Sequence, residues 1–237
     1  MIFPYFLLKS GLFKSLLLKI ALLLSVTAAH AQLLAIPTRI TVEGLEKDQT
    51  IRVINKGDIP IYLNVILERI ENPGKNPENK TPIGQIQHPE MIFNPTRITL
   101  GAKQERHINL IPLTTPLQET LYRLYITPVT QTKIKGIDDK KITVPLTFGV
   151  AYGVLIHHLP ASAQQTQRWE YQCMEPSGIK LTAMGKIHNS FNDLRVPNSQ
   201  QEIPSSQNVY PGTPILLPNI KQLSGEVEEK SFSIVCP

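Results

Sequence analysis

The sequence predicts an all-β protein of two consecutive sandwiches behind a cleavable leader, and three observations predict it. Apolar residues recur with period two, and no stretch beyond the leader sustains a helical period. The strand candidates are short and closely spaced, punctuated by turn residues in a chain with 20 prolines and 13 glycines among 237 residues. The composition, 41% hydrophobic and 18% charged, excludes a disordered tail, and two cysteines exclude both a disulfide-dense scaffold and a four-cysteine zinc module.

Residues 1–31 read as a secretory signal peptide. Met1 to Lys19 carries Lys9, Lys14 and Lys19 without an acid, Ile20 to Val26 is apolar apart from Ser25, and Ala29-His30-Ala31 offers a small-x-small cleavage site. The apolar run is far shorter than the roughly 20 residues of a membrane anchor, so no stable membrane insertion is expected after cleavage. The whole chain carries a formal charge of +5 and a pI of about 9.1, which invites a nucleic-acid reading. Removing three lysines from 24 basic residues leaves 21 against 19 acidic ones, a net of +2, and the invitation lapses. Export also places Cys173 and Cys236 where thiols oxidise, so a disulfide between them is expected, two free thiols being the alternative.

Along the mature chain, Ile51 to Ile54 leads through the turn cluster Asn55-Lys56-Gly57-Asp58 into Ile61 to Ile70, which reads as a hairpin. Asn72 to Pro89 has no apolar pattern and reads as a long loop. Strand candidates follow at Met91–Phe93, Arg97–Leu100, His107–Ile111 and Leu121–Pro128, then a charged loop at Gln131–Lys141 and the long segment Ile142–Leu159. Pro160 to Thr166 is small and polar, a linker. Beyond it Trp169–Cys173, Ile179–Met184, Ile215–Leu217 and Ser231–Cys236 alternate again. The domains are therefore 32–159 and 167–237, joined by 160–166.

The long segment is unusual. Val144, Leu146, Phe148, Val150, Tyr152, Val154 and Ile156 share one face, while the opposite face is mostly small. Periodicity alone is equally consistent with a wholly buried central strand. Pro145 favours an edge, because proline lacks the ladder donor. A long apolar edge in an exported protein is an aggregation hazard unless a partner covers it, and it is what strand addition to another protein requires. Burial of Val144, Leu146, Phe148 and Val150 would contribute on the order of 6 to 12 kcal/mol before entropy costs.

In its motifs the sequence resembles the periplasmic pilus-assembly chaperones of the chaperone–usher pathway, the PapD-like family. The resemblance rests on Pro37-Thr38-Arg39, on Thr50 to Pro60 with its strand and Asn-x-Gly turn, and on Phe93-Asn94-Pro95 leading a strand to Leu100. It continues in Glu119-Thr120-Leu121-Tyr122-Arg123-Leu124 and in Tyr210-Pro211-Gly212. It implies two immunoglobulin-like sandwiches set in an L and a non-enzymatic chaperone without cofactor or metal. Such a chaperone binds pilus subunits by donor-strand complementation and delivers them to an outer-membrane usher. It further implies that Leu146, Phe148 and Val150, with Val144 as a fourth, are the donor residues, and that Arg39 anchors the subunit's terminal carboxylate. An exposed strand arginine with no client is the plainer reading of Arg39.

Two departures mark a divergent branch, such as the alternate or archaic chaperones. No lysine lies between Lys141 and Pro160, Leu155 standing where the family's cleft lysine is expected, and His107 replaces an arginine after the proline-led strand. His157 is a candidate partial substitute for the lysine. Successive residues His157 and His158 point to opposite faces of a strand, and His88, His107 and His188 show no local ligand spacing, so no metal site is expected. No nucleophile elbow, P-loop, zinc-protease or dinucleotide motif occurs. The rival reading is a structural or adhesive cell-surface sandwich, a pilin or adhesin.

Overall fold

The computed structural model of the chain describes residues 33–129, 151–197 and 202–237. Residues Gln32–Pro237 form one compact unit containing two large hydrophobic cores. The signal-peptide assignment and the donor residues Val144, Leu146, Phe148 and Val150 lie outside the described residues.

Two sheets enclose the first core. One joins β1 (Leu33–Ile36), β3 (Thr50–Asn55), β8 (Glu105–Pro112) and β6 (Met91–Asn94) in that order. The other runs β2 (Arg39–Glu43), β10 (Tyr152–Leu159), β9 (Thr120–Pro128), β4 (Ile61–Ile70) and β5 (Lys80–Pro82), with β7 (Arg97–Leu100) also paired to β4. Alternation decides which residues face inward. Leu63, Val65 and Leu67 of β4, Tyr122, Leu124 and Ile126 of β9, and Val154 and Ile156 of β10 fill the core, each nearly or wholly inaccessible. Each such burial contributes about 1.5 to 3 kcal/mol.

Between Ile36 and Arg39 the chain passes from one sheet to the other: β1 lies antiparallel to β3, whereas β2 lies parallel to β10. The switch shortens the cover over β10. Register with β2 starts at Leu155, opposite Arg39, so among the described residues Tyr152, Gly153 and Val154 have a strand neighbour only on the β9 side.

The second core lies between a three-stranded sheet, β11 (Trp169–Cys173), β12 (Gly178–Ala183) and β15 (Ile215–Pro218), and a four-stranded one. The latter is ordered β14 (Gln207–Val209), β13 (Asn189–Arg195), β16 (Gln222–Val227) and β17 (Lys230–Val235). Trp169 meets Phe191 and Phe232 edge-on at ring separations of 5.1 and 5.2 Å, a favoured aromatic geometry. Cys173 and Cys236 are bonded, tying the end of β11 to the chain's last residues.

Three expectations need correction. Thr50–Asn55 and Ile61–Ile70 are not a hairpin, because β3 pairs β1 and β8 while β4 pairs β9, β7 and β5 in the opposite sheet. Asn55 holds this corner: its side-chain amide donates to the carbonyls of Ile59 and Gly101, and its carbonyl oxygen accepts from Gly57 N–H. The stretch 72–89 is not a plain loop but contains β5 and a 3-10 turn at Ile83–Gln85. Residues 160–166 are more than a spacer, with a 3-10 turn at Ser162–Gln164 and the Thr166 carbonyl accepting from Lys186 and Ile187 of the second sandwich.

Candidate functional site

On strands in register, opposite residues project to the same side. The outer face of the β2-β10-β9-β4 sheet therefore presents one row of Arg39, Leu155, Arg123 and Glu68, and a second of Thr41, His157, Leu121 and Ile70. The rows divide the work. Leu121 and Ile70, joined by Leu155, pack against Tyr210 of the second sandwich and make a small apolar contact. Arg39 stays exposed beside it, and Arg123 pairs with Glu78, which Lys80 also approaches at 3.6 Å. Lys80 donates to the Tyr125 hydroxyl at 2.7 Å. Burial pushes the Tyr210 hydroxyl pKa up, while the charges of Arg39 and Arg123 act on it in the opposite sense, so both guanidinium groups reach the same neighbourhood.

Directly beside this patch a buried carboxylate joins the sandwiches. Glu119 ends the loop before β9, and its side chain is fully inaccessible. Oε1 lies 2.7 Å from His157 Nδ1, and Oε2 lies 2.7 Å from His188 Nδ1. Oε2 also accepts from the His188 backbone N–H at 2.7 Å, while the Glu119 N–H donates to the Lys186 carbonyl at 2.8 Å. Burial would raise the carboxyl pKa, but hydrogen bonds from His157 and His188 outweigh it and bring it to about 2. Tyr210 stands over both imidazoles, with ring separations of 6.4 Å to His157 and 5.2 Å to His188.

The sequence-chosen residues thus fall in different places. Arg39 is on the exposed edge strand, opposite Leu155 as its strand partner. His157 is buried, and it meets Glu119, His188 and Tyr210 across the sandwich junction. His158 points the other way, into the sandwich, its Nε2 donating to the Gly44 carbonyl at 2.8 Å; burial lowers its pKa. Sequence reasoning does not single out Arg123. Its signal is nonetheless present in the period-two pattern of β9, where it is a charge on the face opposite Tyr122 and Leu124. Convergence of Glu119, His157 and His188 is invisible to local spacing, since the three come from separate strands and loops.

No protein-family profile matches the chain. Over 143 residues it is 27% identical to a CFA/I fimbrial protein of Escherichia coli, covering 60% of this chain and 59% of that protein. The chain thus spans less than two thirds of that relative's length in the match. Over 200 residues it is 22% identical to a CS1 fimbrial protein of Escherichia coli, covering 82% and 83% of the two. Among solved structures it is similar to the class 5 fimbriae chaperone CfaA, with a TM-score of 0.65 at 18% identity over 86% of this chain and 99% of the other. A chain of the chaperone–tip adhesin complex of CFA/I fimbriae gives a TM-score of 0.66 at 18% identity, covering 87% and 99%. The archaic chaperone–tip complex CsuC–CsuE of Acinetobacter baumannii gives 0.56 at 14%, covering 86% and 97%. The chain has the two-domain β-sandwich fold of the fimbrial chaperones.

Proposed function

We propose that the protein is a non-enzymatic periplasmic chaperone that binds fimbrial subunits by donor-strand complementation and hands them to an outer-membrane usher. Residues 32–159 are the client-binding domain, 160–166 the connection and 167–237 the second domain. The observation that carries the reading is the open flank of β10. Because β1 and β2 belong to different sheets, no strand of the described chain accompanies β10 upstream of Leu155 on that side. The chain running into that flank carries Val144, Leu146, Phe148 and Val150, the alternating residues that would fill a subunit's groove.

Arg39 holds the subunit's terminal carboxylate, with Arg123 as the second cation. Both flank Leu155, two strand spacings or about 10 Å apart, a gap that two guanidinium side chains close readily around one carboxylate. Arg123 keeps donors to spare while paired with Glu78, since guanidinium offers five N–H groups. His157 is committed to Glu119, so its part in anchoring is indirect at most. The pilin or adhesin alternative would need this flank to serve self-assembly. Co-expression with candidate subunits followed by pull-down separates the two. Stable one-to-one complexes lost on Phe148→Asp or Arg39→Ala support the chaperone, and self-polymerisation of the protein alone overturns it.

A further inference from the structure

Among the described residues, every side chain that bonds the Glu119 carboxylate is a histidine, so a fully buried carboxylate sits without a lysine or arginine partner. We infer that Glu119, His157 and His188 form a site for one divalent metal ion of the zinc class, held at the junction of the two sandwiches. Their ligand atoms all lie within 4.8 Å of one another. Two imidazoles and one carboxylate are the donor set of many three-ligand zinc sites, whose fourth position is left to water.

Geometry supports each part of the assignment. The contacts of 2.7 Å are hydrogen-bond lengths, whereas ligand atoms around a tetrahedral zinc with bonds of about 2.0 to 2.1 Å stand roughly 3.3 Å apart. Entry of the ion therefore replaces the shared protons and opens each contact by about half an ångström. The imidazoles then carry their remaining proton on Nε2. His157 Nε2 is buried and has no hydrogen-bond partner, so nothing on the far side of that ring commits Nδ1 to being a donor. His188 is 24% exposed on its side chain, which supplies the entry path and the place for a water ligand. The carboxylate is fixed beforehand by the His188 backbone N–H. A +2 ion compensates its charge without requiring a protonated histidine. Metal binding would lock β10 to the second sandwich whether or not a client is bound.

The test uses the purified protein stripped with EDTA and titrated with Co2+ and then Zn2+, by visible absorption and calorimetry. The expected result is one equivalent of Co2+ with the intense d–d bands of four-coordinate cobalt, displaced stoichiometrically by Zn2+. His188→Ala and Glu119→Gln should weaken binding by more than the roughly 10- to 100-fold that loss of an outer-shell partner costs. His88→Ala and His107→Ala should leave it unchanged. Circular dichroism in EDTA shows whether each variant is folded, and His188→Gln replaces His188→Ala if the latter is not. Imidazole 15N shifts of the unmutated protein provide a readout free of variants: Zn2+ should move Nδ1 of both His157 and His188. Absence of saturable binding, binding indifferent to His188, or unmoved His157 and His188 resonances would each overturn the site and leave a purely hydrogen-bonded junction.

Discussion

Arg39 and Arg123 stand on either side of Leu155, in register across three adjacent strands, and both project from the outer face of the first sandwich. Hydrogen bonds to a charged group contribute about 1.5 to 3 kcal/mol each. Arg123→Ala and Arg39→Ala are therefore each expected to weaken client affinity by roughly 10- to 150-fold, with the double variant losing less than the sum. Calorimetry with a peptide from a client's C-terminus checks this, and amidation of the peptide's terminal carboxylate should erase the difference between the variants. Arg39→Ala, at an exposed position, should leave the urea midpoint unchanged.

The Glu119 carboxyl is a stability element with a defined pH window. Its folded pKa, about 2, lies below the ordinary 4.5, so its contribution is complete above pH 4.5 and lost as pH falls towards 2. With the side chain fully inaccessible, the shift corresponds to about 3 kcal/mol. Urea unfolding in EDTA should show the stability advantage over Glu119→Gln shrinking across that window. A constant difference from pH 6 to pH 2 would count against the assignment.

The Cys173–Cys236 bond spans a sequence separation of 63 residues. Loop-closure entropy for that span predicts a loss of about 4 kcal/mol when it is removed. Cys173→Ser combined with Cys236→Ser should lower the denaturation midpoint by a matching amount, and reductant should lower that of the parent protein but not of the variant.

What is legible in the sequence follows the strength of its alternation. β4 and β9 carry three or more apolar residues at period two, and their bounds agree with the expected spans to within a residue; β10 ends at Leu159 as its pattern does. By contrast, β13 reads Asn-Ser-Phe-Asn-Asp-Leu-Arg, with Phe191 and Leu194 buried on a strand whose register shifts between Asn192 and Arg195, and the bulge breaks the period. β5 escapes because three residues beside two prolines carry no pattern, although pairing with β4 holds them. The false hairpin arises from a turn that connects opposite sheets, a distinction local residues do not encode. Arg39 can be named from its motif, whereas Arg123 becomes interpretable only when register places it across Leu155.

Gly74 tests the junction of the sandwiches from the side opposite Glu119. Its φ of +80° lies in the left-handed region, and a Cβ there would come within 3.0 Å of the Asn208 carbonyl oxygen and 3.2 Å of the Tyr210 ring. Neither neighbour can yield freely: one is backbone, and the other already packs on Ile70, Leu121 and Leu155. Gly74→Ala should therefore cost roughly 1 to 3 kcal/mol through backbone strain alone, with displacement of Tyr210 added to it. Gly84→Ala is the matched control, since no atom lies within 4 Å of its Cβ position, and its reduced unfolded-state entropy should leave it neutral or slightly stabilising. Differential scanning calorimetry of the two variants decides the point: equal midpoints would show that the contact at Gly74 carries no weight in holding the second sandwich to the first.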